Sequence, residues 1–260
     1  MKSFKEGINT PPNHMQSFSE SKAKRCSQKK AVRADWIAYN MHHMSRIYPS
    51  GRRLDSSNYS PILAWSLGCQ LVALDLQMPD YARRLNDGRF RENGGCGYVP
   101  KPRSLTTPDA SSPSPLILYI KVICGSCLPK PKGKKSGERI DPYVNVCLYD
   151  IAIDTGKETR TNYYTNHIKN NGFNPVWAQK EAFKYAVQNP EVAMLQLTVV
   201  DKDNVGEDDF IASSSIPVSC VRQGYRSVKL FDRENGRSGP FEWTSLLVEV
   251  KIGEVKIRFE

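Results

Sequence analysis

Residues 101–115 divide the chain into two parts that cannot share one kind of fold. The stretch carries Pro102, Pro108, Pro113 and Pro115 among Ser104, Ser111, Ser112 and Ser114. Proline lacks the amide hydrogen that a helix or sheet ladder needs, and serine offers its hydroxyl to the backbone instead, so the segment reads as a flexible tether. Before it, short strand-like and helix-like runs alternate. Residues 36–40 and 69–76 have strand character, and residues 58–67 and 80–90 suit helices. Such alternation predicts βα units around a parallel sheet covered on both faces. After it come β-like runs separated by turn residues, at 116–123, 143–149, 181–187, 195–200, 211–216, 226–230 and 245–252. Their spacing predicts an antiparallel sandwich. The expected layout is a linker remnant over 1–14 carrying Pro11 and Pro12, an α/β domain over 15–104, a linker over 105–115 and an all-β domain over 116–260.

The charge follows the same division. Residues 1–104 hold 17 Lys and Arg against 8 Asp and Glu, and the remainder holds 20 against 19. A basic excess suits nucleic acid, an anionic membrane or a phosphorylated ligand. No nucleic-acid motif, aromatic RNA-binding strand or Cys/His finger accompanies it, so nucleic acid is the weakest of the three. There is no run of eighteen apolar residues, and the N-terminus lacks the apolar core of a secretory signal. Seven cysteines, odd in number and scattered, argue for reduced thiols in a cytosolic protein. Cys124-Gly125-Ser126-Cys127 has redox spacing, yet it ends a strand-like run and no second pair follows, so it reads as ordinary strand-end sequence.

Three residues of the basic part stand where binding groups are expected, and their types and placement alone do not name the ligand. Arg46 offers phosphate a planar fork of two parallel donors. Ser17 adds a neutral hydroxyl, and the Tyr48 ring can pack on the apolar face of a sugar. All three fall at the ends of strand-like runs, where a βα barrel places its binding residues. Four histidines are present, His14, His42, His43 and His167. His42 and His43 stand close to Arg46 and invite an acid/base reading, but solvated or helix-flanking histidines are far commoner.

The motifs around these residues are dense. They include Met15-Gln16-Ser17-Phe18-Ser19-Glu20, Met44-Ser45-Arg46-Ile47-Tyr48-Pro49, Arg53-Leu54-Asp55-Ser56-Ser57-Asn58-Tyr59-Ser60-Pro61, Gly68-Cys69-Gln70-Leu71-Val72-Ala73-Leu74 and Asn93-Gly94-Gly95-Cys96-Gly97-Tyr98-Val99-Pro100-Lys101-Pro102. In them the chain resembles the second, or Y, half of the TIM-type catalytic barrel of eukaryotic phosphoinositide-specific phospholipase C. The resemblance implies that Ser17 and Arg46 contact the 4-phosphate of the head group and that Tyr48 packs on the inositol ring. It also implies hydrolysis of phosphatidylinositol 4,5-bisphosphate to diacylglycerol and inositol trisphosphate. In that family the general acid/base and the catalytic calcium ligands belong to the first half, and no counterpart of it precedes Met15. The chain alone is therefore expected not to turn over substrate, since four strands cannot close a barrel and would need a first-half segment as partner. Departures include Asp75-Leu76-Gln77-Met78 and the basic loop Ser50-Gly51-Arg52-Arg53.

The second part carries Ile140-Asp141-Pro142-Tyr143-Val144, Asn174-Pro175-Val176-Trp177 and Val199-Val200-Asp201-Lys202-Asp203. In an extended segment alternate side chains share a face, so Asp201 and Asp203 point the same way and repel unless a cation lies between them. This part resembles a C2 domain, which implies calcium ligation by Asp141, Asn170, Asp201, Asp203 and Asp209. The lysines of Lys130-Pro131-Lys132-Gly133-Lys134-Lys135 stand where an earlier ligand would lie. They should weaken calcium affinity and suit anionic lipid. The expected setting is cytoplasmic and peripheral at the inner face of the plasma membrane. A non-enzymatic calcium- or phosphoinositide-dependent membrane adaptor, and a split enzyme active only on mixing with a first-half chain, remain alternatives.

Overall fold

A computed structural model of the chain describes residues 4–11, 13–108, 110–111, 113–131, 139–203 and 206–254. Lys132, Lys134 and Lys135 of the lysine-rich loop lie outside the described residues. The chain forms two compact units. The first comprises Met1–Ser114 with Tyr149–Thr159 and Gln188–Ala193, and the second comprises Pro115–Leu148, Arg160–Val187 and Met194–Glu260.

The first unit runs α1 (Phe4–Gly7), β1 (Met15–Ser19), α2 (Glu20–Ser27), α3 (Lys30–His42), β2 (Met44–Tyr48), α4 (Ile62–Ser66), β3 (Leu71–Val72) and α5 (Tyr81–Phe90). Its sheet has the order β1-β2-β3, and both pairings are parallel. Residues 36–40, expected as a strand, lie inside α3. The buried residues of that helix are Arg33, Trp36, Tyr39 and Asn40, the spacing of one helical face. The described residues that precede β1 include the short helix α1, which packs into the core. Phe4 is buried, stacking on Trp36 with centroids 4.6 Å apart and tilting against Phe18 at 5.4 Å. Four strands were expected of this part, and its described residues form three, β1, β2 and β3.

A buried polar network fixes the sheet to α3. Trp36 Nε1 donates to Ser45 Oγ (3.0 Å), Ser45 Oγ donates to Asn40 Oδ1 (2.7 Å) and Asn40 Nδ2 donates to the Leu67 carbonyl (2.7 Å). Gln70 accepts from Ser45 N and donates to the carbonyls of Asn40 and His43. The bonds of Trp36 Nε1, Ser45 Oγ and Asn40 Nδ2 are buried, and leaving such a group unpaired costs ~1–3 kcal/mol. Within the same unit, Arg33 donates to the carbonyls of Ser27, Ile153 and Asp154, and Leu63 N donates to the Glu158 carboxylate.

The second unit holds β4 (Leu116–Ser126), β5 (Pro142–Ile151), β6 (Glu158–Tyr164), β7 (Phe183–Val187), β8 (Met194–Asp201), β9 (Asp209–Pro217), β10 (Gly224–Lys229) and β11 (Ser245–Glu254), with β5 and β6 reaching into the first unit at their near ends. They form two four-stranded sheets, β10-β11-β4-β7 and β6-β5-β8-β9. Inward residues alternate along β4 (Leu118, Ile120, Val122) and β11 (Leu246, Val248, Val250) and are nearly or wholly buried, as a sandwich core requires. Strand β6 escaped the sequence reading because Glu158–Tyr164 is mostly polar and lies at a sheet edge. Gly125 is dictated by packing, since a Cβ there would stand 3.1 Å from the Trp177 ring.

Candidate functional site

Strands β1 and β2 pair in a register that sets Ser17 opposite Arg46 and Ser19 opposite Tyr48. Phe18 and Ile47 point into the core and are 1% exposed, so Ser17, Arg46 and Tyr48 occupy the other face of the sheet. Arg46 Nη1 donates to Ser17 Oγ at 3.4 Å, and the Arg46 guanidinium carbon lies 5.0 Å from the centre of the Tyr48 ring. The three residues singled out from the sequence are thus brought together around one guanidinium. A cation held over an aromatic face and beside a hydroxyl presents its remaining donors to solvent, an arrangement suited to an anion.

The brace beside them was not singled out as a functional feature. Glu20, the residue after β1, takes the Arg53 guanidinium in a two-point bond (Nε to Oε1 2.6 Å, Nη2 to Oε2 2.8 Å) and also accepts from Ser50 N at 3.0 Å. Arg53 Nη1 donates to Ser57 Oγ at 2.9 Å. Burial pushes the Glu20 carboxyl up, but the Arg53 and Ser50 hydrogen bonds outweigh it and hold the group below its ordinary value of 4.5. The loop after β2 is therefore tied to the end of β1, and the charge of Arg53 is already matched. Of the basic pair Arg52 and Arg53, the exposed Arg52 is the one turned to solvent.

The histidines play no part in this cluster. His43 is 4% exposed, stacks on Tyr39 at 4.5 Å and bonds through Nε2 to the Thr10 carbonyl at 3.0 Å. It precedes β2, at the end of the strand opposite Tyr48, and pins the N-terminal segment. Burial pushes the Cys69 thiol up to about 12, which keeps it protonated and inert. The described cysteines are free thiols, Cys124 and Cys127 among them.

In the second unit the acidic residues converge only in part. Asp141 N donates to Asp201 Oδ1 at 2.7 Å, and Asn170 N donates to Asp141 Oδ1 at 2.7 Å, with Asn170 in the left-handed region (φ 55°). Asp209 is the cross-strand partner of Asp201. Asp203 takes a different neighbour, its backbone amide donating to Asp208 Oδ1 at 3.1 Å. Asp208, to which no role was assigned from its motif, also accepts from Tyr143 (2.8 Å) and from Lys202 Nζ (3.1 Å). Burial raises the Asp208 carboxyl, and these bonds more than offset it, leaving the group below its ordinary value. Lys202 thus neutralises one carboxylate of the loop. The carboxylate and amide oxygens fit a hard divalent cation in kind. Among the described residues no three carboxylates, histidines or cysteines stand close enough to share one.

Comparison with known proteins gives the same two parts. Residues 1–104 match the description "Phosphatidylinositol-specific phospholipase C, Y domain", and residues 116–232 match "C2 domain". The chain is 42% identical over 226 residues to 1-phosphatidylinositol 4,5-bisphosphate phosphodiesterase delta-4 of Macaca fascicularis, covering 84% of this chain and 27% of that protein. It is 40% identical over 236 residues to the delta-1 enzyme of Homo sapiens, covering 87% of this chain and 30% of the relative. The crystal structure of S. officinalis PLC21 superposes with a TM-score of 0.82 at 28% identity, over 100% of this chain and 32% of that one. The chain therefore spans under a third of the length of these relatives. By both matched regions and by the structural likeness that runs through them, it belongs to the phosphoinositide-specific phospholipase C family, as the Y part of the barrel followed by a C2 domain.

Proposed function

We propose that this chain supplies the head-group-gripping side of a phosphoinositide phospholipase C that hydrolyses phosphatidylinositol 4,5-bisphosphate to diacylglycerol and inositol 1,4,5-trisphosphate. One observation carries the reading: Arg46 is held between the Ser17 hydroxyl and the Tyr48 ring on the exposed face of a parallel sheet. Arg46 neutralises the 4-phosphate, Ser17 donates to it, and Tyr48 packs against the inositol ring. Glu20 and Arg53 hold the adjoining loop so that Arg46 stays presented. The three strands described here are part of such a barrel, which closes with eight. Anionic lipid at the inner face of the plasma membrane is the surface on which the site meets its substrate.

The test is inositol trisphosphate release by an enzyme carrying these residues in a closed barrel. Arg46→Ala should lower turnover about 100-fold, the size of losing one preorganised donor to developing or bound charge, while vesicle binding is kept. Turnover unchanged by Arg46→Ala would sink the reading.

In the C2 part, calcium would have to draw Asp141, Asp201, Asp203 and Asp209 with Asn170 together, since among the described residues no three acidic groups stand close enough to share an ion; bound there, it would link the acidic loops to lipid phosphate. Support comes from the cross-strand pair Asp201 and Asp209, two carboxylates that repel unless a cation lies between them. Calorimetric titration of the chain with calcium should give heat that Asp201→Asn removes. No heat from the unaltered chain would contradict calcium ligation.

A further inference from the structure

The chain carries Ser-Pro or Thr-Pro dipeptides at Thr10, Ser60, Thr107, Ser112 and Ser114, and the last three crowd into the proline-rich divide. Proline fixes its own φ, has no amide hydrogen and biases the residue before it toward extended backbone, so each dipeptide is poorly suited to a helix or a ladder. The fold treats them unequally. Thr10 is tied down, its hydroxyl donating to the Gly7 carbonyl at 2.6 Å and its own carbonyl lying 3.0 Å from Nε2 of the buried His43. The Ser60 hydroxyl is buried, and Pro61 leads into α4, its carbonyl accepting from Trp65 N at 3.0 Å. Thr107 and Ser114 are exposed, and so are Pro108 and Pro115. Both acceptors lie outside helices and strands, between the short 3-10 turn Arg103–Leu105, anchored by buried Leu105, and the start of β4. Thr107 N donates to the Arg103 carbonyl at 3.0 Å, and the Thr107 carbonyl accepts from Ala110 N at 3.1 Å. These are turn bonds, which open without disturbing a sheet. Ser112 lies outside the described residues.

We infer that Thr107 and Ser114 are phosphate-acceptor sites for a proline-directed protein kinase, and that the folded chain withholds Thr10 and Ser60 from it. The acceptor hydroxyl oxygen attacks the γ-phosphorus of a nucleoside triphosphate. An oxygen–phosphorus bond forms, the bond from that phosphorus to the β,γ-bridging oxygen breaks, the nucleoside diphosphate leaves, and the kinase's base takes the hydroxyl proton. The consequence is electrostatic. The charged residues of 101–115 are Lys101, Arg103 and Asp109, two cations against one anion. Lys101 is already engaged by the carbonyls of Asn40 and Gly68, and the Glu191 carboxylate, which accepts from Ser104, sets a further anion beside the turn. Each phosphate adds a charge of about −1.5 to −2 at neutral pH. Two of them turn the divide from weakly basic to strongly acidic, with the exposed Arg103 as the nearby cation for the phosphate on Thr107.

The experiment incubates the folded 260-residue chain with a purified mitogen-activated protein kinase in excess, magnesium and ATP, and maps the phosphate by peptide mass spectrometry. Phosphate should appear at both Thr107 and Ser114, with little or none at Thr10 and Ser60. The double variant Thr107→Ala, Ser114→Ala should lose most of the incorporation; both positions are exposed and irregular, so its fold is not at stake. A chain left without phosphate at either residue, phosphate as abundant at Thr10 or Ser60, or a double variant labelled as well as the parent would overturn the inference. The phosphates are read directly, so the result stands apart from the fate of the head-group reading.

Discussion

Arg46 makes two contacts, a hydrogen bond to Ser17 and a cation–π approach to the Tyr48 ring. Arg46→Lys keeps the charge but loses the fork of parallel donors, so head-group affinity should fall about tenfold, less than for Arg46→Ala. Calorimetry on the three forms checks the order, and equal loss in Lys and Ala would show that charge alone does not carry the grip. Gly172 is a second telling position, since a Cβ there would stand 2.3 Å from Ile140 Cγ1. Gly172→Ala must displace Ile140 or the crossover itself, and the expected cost is ~1–3 kcal/mol of stability, read by thermal or denaturant unfolding. Ser17, Arg46 and Tyr48 were legible in the sequence because each sits in a short local motif. The ties between Glu20 and Arg53, and among Asp208, Lys202 and Tyr143, were not. Each partner looks like an ordinary surface charge until the fold brings residues 20 and 53, or 143 and 208, side by side.

The elements divide in the same way. Strands β4, β5, β8, β9 and β11 were foreseen within a few residues, since runs rich in branched apolar residues between turn residues are a local signal. Helix α3 was read as a strand because Trp36, Ile37 and Tyr39 favour sheets, and its helical face includes the polar Arg33 and Asn40. Helix α1 was invisible for want of length, its worth residing in one ring. Phe4→Ala should cost about 3 kcal/mol by opening a hole against Phe18 and Trp36. A melting temperature equal to that of the parent would show that α1 is dispensable. The loop after β2 should respond to acid. The Glu20 carboxyl is held below its ordinary value, so its contribution is complete above pH 4.5 and is lost as pH falls through the lowered folded value. Amide exchange at Ser50 and Arg53 should rise over that acid range in the parent. Glu20→Gln should raise it already at neutral pH, and exchange indifferent to both changes would remove Glu20 as the brace.

At the scale of the whole chain, a proline-rich divide separates a parallel α/β unit from a sandwich, and the two carry different surfaces. The first brings a basic sheet face built around Arg46. The second brings acidic loops on one sheet. The divide was legible from composition. The packing of Tyr149–Thr159 and Gln188–Ala193 with the first unit was not, because it depends on contacts such as Leu63 to Glu158 between residues far apart in sequence. Among the described residues no helix is long and apolar enough to cross a membrane. Whether the first of these surfaces grips a phosphorylated inositol is decided by calorimetric titration of the 260-residue chain with inositol 1,4,5-trisphosphate. Saturable binding is expected, weakening as salt rises and lost in Arg46→Ala. Absence of binding, or binding that Arg46→Ala leaves untouched, would contradict it.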